Sequence, residues 1–317
     1  MKIITFSDIQ KLSISPKTCY DWVVRQLQEK GSTLLPPKIS MKPADDVFCN
    51  VMPCILKTDG MSRGGVKIVS RYPDRKPSLD SKLLLFNSEN GEFLALMDAD
   101  WITAMRTGAV AAHSIELFAK SDFSVVGMLG LGNTARAALL VLAELMPARE
   151  LRVKLLRYKG QEELFAQRFA AYPQLHFEFV DNAESLVRGS QVVISAATYL
   201  SEDLCPDDCF DEGVLVVPIH TRGFTNCDLF FDKVFADDTG HVHHFRYFDR
   251  FRSFAEVSDV VNGKAPGREN DRERILAYNI GLSMHDIYFA ARIYELLKDD
   301  PTLQEIDLKA PEEKFWV

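Results

Sequence analysis

The sequence predicts an α/β fold in which an antiparallel region precedes a parallel sheet with helices on both faces. From Phe123 onward, apolar strand-like runs alternate with helix-like runs, which is typical of a parallel sheet. Before that point, short β-like runs are separated by turn signals, and Asn90-Gly91 favours a hairpin. The third observation is the motif Gly130-x-Gly132-x-x-Ala135, which follows an apolar run and precedes a helical run.

The first part of the chain is predicted to contain one helix and an antiparallel sheet. Ser15-Pro16 is a helix-start signal, and an apolar face continues to about Lys30. A long helix over 98–119 then leads into the parallel part. The predicted strands before that helix are 47–51, 65–70, 82–86 and 93–97.

The second part is predicted to alternate strands and helices until a final helix over 283–298, in which Ile287, Ala290 and Tyr294 share a stripe. The polar tail from Asp299 is expected either to be partly disordered or to dock on a partner subunit. The predicted strands are 123–128, 151–156, 176–180, 191–195, 214–217 and 233–236, and helices are predicted over 134–146 and 161–171.

Composition excludes several classes of protein. The chain has 317 residues, of which 47% are hydrophobic, so a sizeable core is expected. The net charge of −8 argues against a nucleic-acid partner, since such proteins usually have a basic face. An aspartate at position 8 argues against a signal peptide, and no apolar run approaches the ~20 residues of a membrane span. We therefore expect a cytoplasmic protein with neither nucleic-acid nor membrane partners.

Metal and disulfide sites are not indicated. The six cysteines form no Cys-x-x-Cys pair, which favours scattered buried thiols. His241, His243 and His244, with Asp237 and Asp238, lack a diagnostic ligand spacing and are interpreted as a solvated polar loop. No metal is predicted.

The glycine motif indicates a dinucleotide site. Gly130 permits a tight turn, and Gly132 lets the backbone approach a pyrophosphate without an intervening Cβ. Ala135 lets the following helix pack closely on the strand. Asn133 and Thr134 are placed at the start of that helix, where backbone N–H groups bind phosphate.

Several segments together resemble the ornithine cyclodeaminase/μ-crystallin family. They span most of the chain in the family's order, and Thr103-Ala-Met-Arg-Thr-Gly-Ala109 is the most specific. The others are Gly64-Gly-Val-Lys-Ile-Val-Ser70, the hairpin 84–98, Gly130-Leu-Gly-Asn-Thr-Ala135, 254–268 and Gly281-Leu-Ser-Met-His-Asp286. The resemblance implies a Rossmann-type NAD(P)-binding domain over 119–281. It also implies a substrate-binding and dimerisation domain formed by 1–118 plus 282–317, and a homodimer.

The same resemblance implies hydride transfer between an amino acid Cα and a nicotinamide. Arg106 is expected to hold the substrate carboxylate, because its fork matches a carboxylate, and to touch the cofactor together with Thr107. Lys67, in an otherwise apolar strand, is expected to bind the carboxylate or polarise the imine. Lys38 is similar in position to a family arginine and would add a second positive contact.

One departure from the family's pattern is His220. Cyclodeaminases carry an aspartate there, which handles the side-chain amine of the substrate. A histidine attracts an ammonium poorly but exchanges a proton near neutral pH, so His220 is interpreted as the proton donor. A loop histidine outside the chemistry is the alternative.

The second strand of the nucleotide domain ends without the acidic residue that usually binds the ribose 2′-hydroxyl. Arg157 and Lys159 follow it instead and favour a 2′-phosphate, so NADP(H) is preferred and NAD(H) remains an alternative. Ala197 and Thr198 lie where the family passes the cofactor.

Three functions remain open from the sequence. The first is an NAD(P)H-dependent oxidoreductase of the C–N bond, either an imine reductase or an amino acid dehydrogenase. The second is ornithine cyclodeaminase, which makes L-proline and ammonia from L-ornithine and recycles its NAD⁺. The third is a non-catalytic NADPH-dependent ligand-binding protein similar to μ-crystallin. In each case the partner is a small amino or imino acid, or another small ligand.

Overall fold

The computed structural model describes residues 1–58, 60–197, 200–220 and 223–308. The chain divides into two compact units, and it passes between them inside two helices, at 102/103 and 285/286. The first unit contains residues 1–13, 32–102 and the segment that begins at Asp286, and the second contains 14–31 and 103–285. The predicted domain boundaries at 118/119 and 281/282 stay a prediction.

Fourteen strands and ten α-helices are present in the described residues. In chain order they are β1 (Lys2–Ile4), α1 (Phe6–Lys11), α2 (Pro16–Gln28), β2 (Ile39–Ala44), β3 (Val47–Thr58), β4 (Met61–Arg71), β5 (Leu79–Asn87), β6 (Phe93–Asp98), α3 (Asp100–Phe118), β7 (Val125–Leu129), α4 (Asn133–Leu145), β8 (Leu151–Leu156), α5 (Gln161–Gln167), β9 (Leu175–Val180), α6 (Ala183–Val187), β10 (Val192–Ser195), β11 (Leu215–Pro218), α7 (Cys227–Phe230), β12 (Lys233–Ala236), α8 (Thr239–Val242), β13 (Phe254–Glu256), α9 (Val257–Val261), β14 (Ile275–Tyr278) and α10 (Ser283–Leu297).

The first unit contains a six-stranded sheet in the order β1-β6-β5-β4-β3-β2. All neighbouring pairs are antiparallel except β1 with β6, so the predicted antiparallel region is confirmed. The predicted hairpin connects β5 and β6, and Gly91 has the positive φ of 76° that its turn requires. Alternating residues of these strands are buried, which gives the sheet one inner and one outer face.

The inner face of this sheet packs on α10. A Cβ built on Gly65 of β4 would lie 2.6 Å from Cδ1 of Ile287, so the missing side chain lets the helix approach the strand closely. Ile287, Ala290, Ala291 and Leu297 of α10 are buried, which confirms the predicted apolar stripe.

The second unit contains an eight-stranded, fully parallel sheet in the order β13-β12-β14-β11-β10-β7-β8-β9. The predicted parallel sheet is therefore confirmed. The chain leaves β7 toward β8 on one side, and later returns to place β10 on the other side. This reversal is the switch point at which doubly wound sheets bind ligands, beyond the carboxyl ends of the strands. Two short strands, β13 and β14, were not predicted.

Helices α3 and α4 of the second unit are in backbone contact. A Cβ built on Gly108 would lie 2.4 Å from the carbonyl carbon of Ala137 and 2.6 Å from the nitrogen of Ala138. Position 108 therefore has no room for any side chain, because the atoms that it would meet belong to a helix backbone. Among the described residues, no helix has both the length and the apolar composition that a membrane crossing requires.

Candidate active site

Lys67 is fully buried in the first unit. It lies on the inner face of β4, between its cross-strand neighbours Met52 and Leu83, which are also buried. Its Nζ lies 2.8 Å from Oδ1 of Asp286, and the side chains of both are 0% exposed. The structure places Lys67 inward, in a buried ion pair.

Asp286 is therefore a candidate functional residue that sequence reasoning missed. It is on α10 between the buried residues Met284 and Ile287, so its charge interrupts an apolar helix face. Removing two charges from water costs several kcal/mol per ion unless they pair closely, so the two residues depend on each other. Burial, and secondarily the charge of Asp286, raises the pKa of the Cys54 thiol, so this thiol is protonated and inert.

Arg106 is buried in the second unit and is 5% exposed. It lies on α3, and its guanidinium packs against Gly281, since a Cβ built on that glycine would lie 2.6 Å from Nη1. Thr107 is also buried, and its hydroxyl donates to the carbonyl of Thr103 at 2.6 Å. Only the arginine thus has the cationic chemistry to bind an anion, while the threonine hydroxyl bonds within its own helix.

The glycine loop has the geometry of an anion-binding turn. Gly130, after β7, has a φ of 78°, and a Cβ there would lie 2.6 Å from the backbone of Ala196 and of Ala197. Gly132 begins α4 without a side-chain cap. No described atom lies within 4 Å of a Cβ built on Gly132, so its backbone is open to a phosphate.

The first turn of α4 follows this loop. Asn133 is exposed, Thr134 is half-buried and Ala135 is fully buried. Asn133 accepts a hydrogen bond from Arg136, which sequence reasoning did not single out. Ala197, after β10, is half-buried and packs on the small apolar cluster around Leu186. Thr198, the other residue predicted at this edge, lies outside the described residues.

Arg157 and Lys159 follow β8, as predicted, but Arg157 has acidic neighbours. Its guanidinium lies 3.3 Å from Glu162, 3.5 Å from Glu163 and 3.2 Å from Asp181. Glu162 also accepts a hydrogen bond from the N–H of Tyr158 at 3.1 Å. An acidic side chain from the start of α5 therefore reaches the end of this strand. The sequence pattern considers only the strand end itself and does not include this residue.

His220 follows β11, and its Nε2 shares a hydrogen bond with the hydroxyl of Ser195 at the end of β10. Since β10 and β11 are adjacent, this pair lies at the carboxyl edge of the sheet. The imidazole centroid lies 6.3 Å from that of Phe224, which is buried. A hydroxyl–imidazole pair can pass a proton, as the predicted role requires. Lys38, in the first unit, is half-buried immediately before β2.

The prediction of a solvated polar loop is wrong for His241 and Asp237, which are buried, whereas His243 and His244 are exposed. Asp238 caps the short helix α8, whose residue His241 is 8% exposed. The imidazole Nδ1 lies 3.7 Å from Oδ1 of Asp237, which is 1% exposed. Oδ2 of Asp237 accepts a hydrogen bond from the N–H of Gly281 at 2.5 Å. The polar residues of this segment thus include a buried pair, His241 and Asp237, and Asp237 fixes the turn at Gly281.

Asp228 is a further buried carboxyl, which the sequence analysis did not single out. Tyr278 donates a hydrogen bond to its Oδ1 at 2.8 Å. Burial raises the pKa of Asp228 to about 7, and the charge of Asp203 adds to the increase, while the bond from Tyr278 lowers it. This carboxyl adjoins an apolar core that includes Cys227 and Phe224, so it helps to support residues 223–228.

Comparisons with known proteins show the family of this chain and its fold. The sequence profile of the Ornithine cyclodeaminase/mu-crystallin family matches residues 3–300. The nodulation efficiency protein NfeD of Rhizobium meliloti is 28% identical over 272 residues, which cover 82% of this chain and 83% of that protein. The Delta(1)-pyrroline-2-carboxylate reductase of Bacillus cereus is 25% identical over 268 residues, which cover 77% of this chain and 80% of the reductase.

The fold also matches a solved structure. That structure is the Thermococcus litoralis Delta(1)-pyrroline-2-carboxylate reductase in complex with NADH and L-proline. The TM-score is 0.83 at 24% identity, and the match covers 96% of this chain and 100% of the reductase chain. At this identity the match concerns the fold.

Proposed function

The chain belongs to the ornithine cyclodeaminase/mu-crystallin family, and on that premise we propose that it is a nicotinamide-dependent oxidoreductase of the C–N bond of an amino or imino acid. The observation that carries the proposal is the glycine loop at the switch point of the parallel sheet. Its open Gly132 and the N-terminus of α4 fit a pyrophosphate. The B. cereus relative is named as a reductase of a cyclic imino acid, which supports the substrate class.

We assign roles to the polar residues on this basis. A bound nicotinamide would supply or accept the hydride. Arg106 and Lys67 would bind the substrate carboxylate or polarise the imine, with Lys38 as a further positive contact. His220, through the proton that it shares with Ser195, would protonate or deprotonate the substrate nitrogen.

The test is a panel of cyclic imino acids, beginning with Δ1-pyrroline-2-carboxylate, and of keto acids with amines, each mixed with NADPH or NADH. Net loss of absorbance of the reduced cofactor is expected with at least one imine. A parallel reaction with L-ornithine and NAD⁺ is assayed for ammonia and proline. Proline and ammonia without net cofactor change would favour the cyclodeaminase instead. NADPH binding without any turnover would favour the ligand-binding alternative.

We propose a preference for NADP(H), with NAD(H) also accepted. The side chain of Arg157 is 45% exposed and can meet a 2′-phosphate, and Lys159 adds a second positive charge. Glu162, Glu163 and Asp181 compete for Arg157, so the preference is expected to be modest.

Replacing Arg157 tests this preference. The substitution Arg157→Ala should raise the KM for NADPH by about 10-fold, the worth of one charge-assisted hydrogen bond, with little change for NADH. Asp181→Asn should lower the KM for NADPH, because it frees Arg157 from one acidic neighbour. Equal changes for both cofactors in Arg157→Ala would contradict contact with the 2′-phosphate.

We further propose a homodimer, as the sequence resemblance implies. The outer face of the six-stranded sheet has an apolar patch: Ile68 is 46% exposed and Leu96 is 39% exposed, with Val66 and Leu84 half-buried beside them. Ile39 on β2 is 59% exposed and shares this face, because it pairs with Val51, which pairs with Ile68. An exposed apolar patch with a polar edge is typical of a subunit interface.

Light scattering tests the dimer. The wild-type protein should have twice the mass of one chain, whereas Ile68→Glu with Leu96→Glu should shift it to the monomer, because charges in an apolar interface lose hydration. Leu164→Glu is the matched control, since Leu164 is 50% exposed on α5 in the other unit. A monomeric wild type, or an unchanged mass in the double variant, would exclude this face. Cytoplasmic localisation stays a prediction of the sequence.

A further inference from the structure

The turn that follows β14 lies against the guanidinium of Arg106. Gly281 in this turn has a φ of 98°, which L side chains rarely adopt. A Cβ built on it would lie 2.6 Å from Nη1, 3.2 Å from Nη2 and 3.3 Å from Cζ of Arg106. All three contacts are with the end of the arginine side chain, so a larger residue at 281 would displace the guanidinium rather than a backbone.

The backbone of this turn is fixed from one side by β12. Oδ2 of Asp237, directly after β12, accepts a hydrogen bond from the N–H of Gly281 at 2.5 Å. The N–H of Asp237 in turn donates to the carbonyl of Tyr278 at 3.2 Å. Asp237 is 1% exposed, and hydrogen bonds in such a low-dielectric environment hold their groups firmly.

The same turn is fixed from the other side by the helix that carries Arg106. Ser114 of α3 and Asn279 are both buried. The Ser114 hydroxyl accepts a hydrogen bond from Nδ2 of Asn279 at 3.0 Å and lies 3.2 Å from its Oδ1. Because Arg106 and Ser114 are on one continuous helix, the turn and the arginine share a rigid support.

We infer that residues 279–281 form a seat for the Arg106 guanidinium, and that Gly281 and Asp237 are positioning residues that act through this arginine. Because Gly281 has no side chain, there is room for the guanidinium, and Asp237 holds the glycine backbone against it. Binding a carboxylate by two parallel hydrogen bonds requires the plane of the guanidinium to be fixed. The seat would therefore set the orientation of the substrate carboxylate, and in this respect the inference rests on the role proposed for Arg106.

The first test is a pair of crystal structures. In Gly281→Ala the Arg106 guanidinium should move by about 1 Å, because its 2.6 Å approach to the new Cβ must open to an ordinary contact. Gly263→Ala is the matched control: Gly263 also has a positive φ, of 69°, but no described atom lies within 4 Å of its Cβ. This control therefore introduces the backbone strain of a positive φ without a steric contact to a neighbouring side chain. An unmoved guanidinium with a shifted 279–282 backbone would overturn the seat.

The second test is kinetic. With Δ1-pyrroline-2-carboxylate as the probe, Gly281→Ala should raise KM by about 10- to 100-fold, with a smaller change in kcat and none in Gly263→Ala. Asp237→Ala should also raise KM, and Asp237→Asn, which keeps an oxygen acceptor, should restore most of the loss. Equal kcat and KM effects in Gly281→Ala and Gly263→Ala would also contradict the seat. If the wild type turns over no imino acid but the guanidinium still moves in Gly281→Ala, the proposed function fails and the seat stands.

Discussion

Lys67→Met is expected to lower the free energy of unfolding by about 3–5 kcal/mol, because it leaves the buried carboxylate of Asp286 without its partner charge. The same substitution should lower kcat/KM for the imino acid by about 100- to 1000-fold, the usual cost of losing one preorganised electrostatic group. Denaturant unfolding measures the first effect and the cofactor assay the second.

A double variant separates the two effects. Lys67→Met with Asp286→Leu replaces the ion pair by apolar side chains, so most of the stability should return while the activity stays low. Arg63→Met is the matched control, since Arg63 and Glu295 form an ion pair between the same strand and the same helix. That pair lies 2.8 Å apart with side chains 18% and 31% exposed, and such pairs contribute at most about 1 kcal/mol. Full activity in either Lys67 variant would mean that Lys67 has no part in the reaction.

Asp228→Asn is expected to stabilise the protein above pH 7 by about 4 kcal/mol, from the difference between a folded-state pKa of about 7 and the ordinary value of 3.8. The sign follows from proton binding. Between these two pH values the folded state binds more protons at Asp228 than the unfolded state, so this carboxyl lowers stability as pH rises. Below pH 3.8 it is protonated in both states and has no effect.

The measurement is the unfolding free energy of both proteins from pH 4 to pH 8. The difference between them should be small at pH 4 and should increase until pH 7, where it levels off. Tyr278→Phe provides a second variant, because it removes the hydrogen bond that lowers the pKa of Asp228. In the presence of Tyr278→Phe, the difference in unfolding free energy between the proteins with Asp228 and with Asn at position 228 should then continue to increase to higher pH. A difference that does not depend on pH would mean that Asp228 has no raised pKa.

The sequence predicted the strands and helices with a regular hydrophobic period, and it identified residues that interrupt such a period. The long strands and helices have clear periods, and Lys67 was recognised because a charge interrupts an apolar strand. The short strands β13 and β14 were missed because three or four residues give too few positions for a period. The helix containing His241 was missed for the same reason, since it has only four residues.

Pairings between distant residues could not be predicted. Asp286 is 219 positions from Lys67, and no local pattern connects the two. Glu162 reaches Arg157 from the next helix, so a search confined to the strand end did not find it. The raised pKa of Asp228 and the function of Gly281 both depend on burial by elements far along the chain. A motif identifies the kind of residue, whereas its electrostatic surroundings come from the assembled fold.

The backbone contact at Gly108 has a consequence for how this protein can change over generations. Gly108 is two residues after Arg106, and the helix that it touches begins at the glycine loop. No substitution at the contact can therefore change the separation between the start of α4 and Arg106 by a small amount. Selection for a new amino acid substrate can change residues elsewhere gradually, but at this contact even one added methyl group has no room.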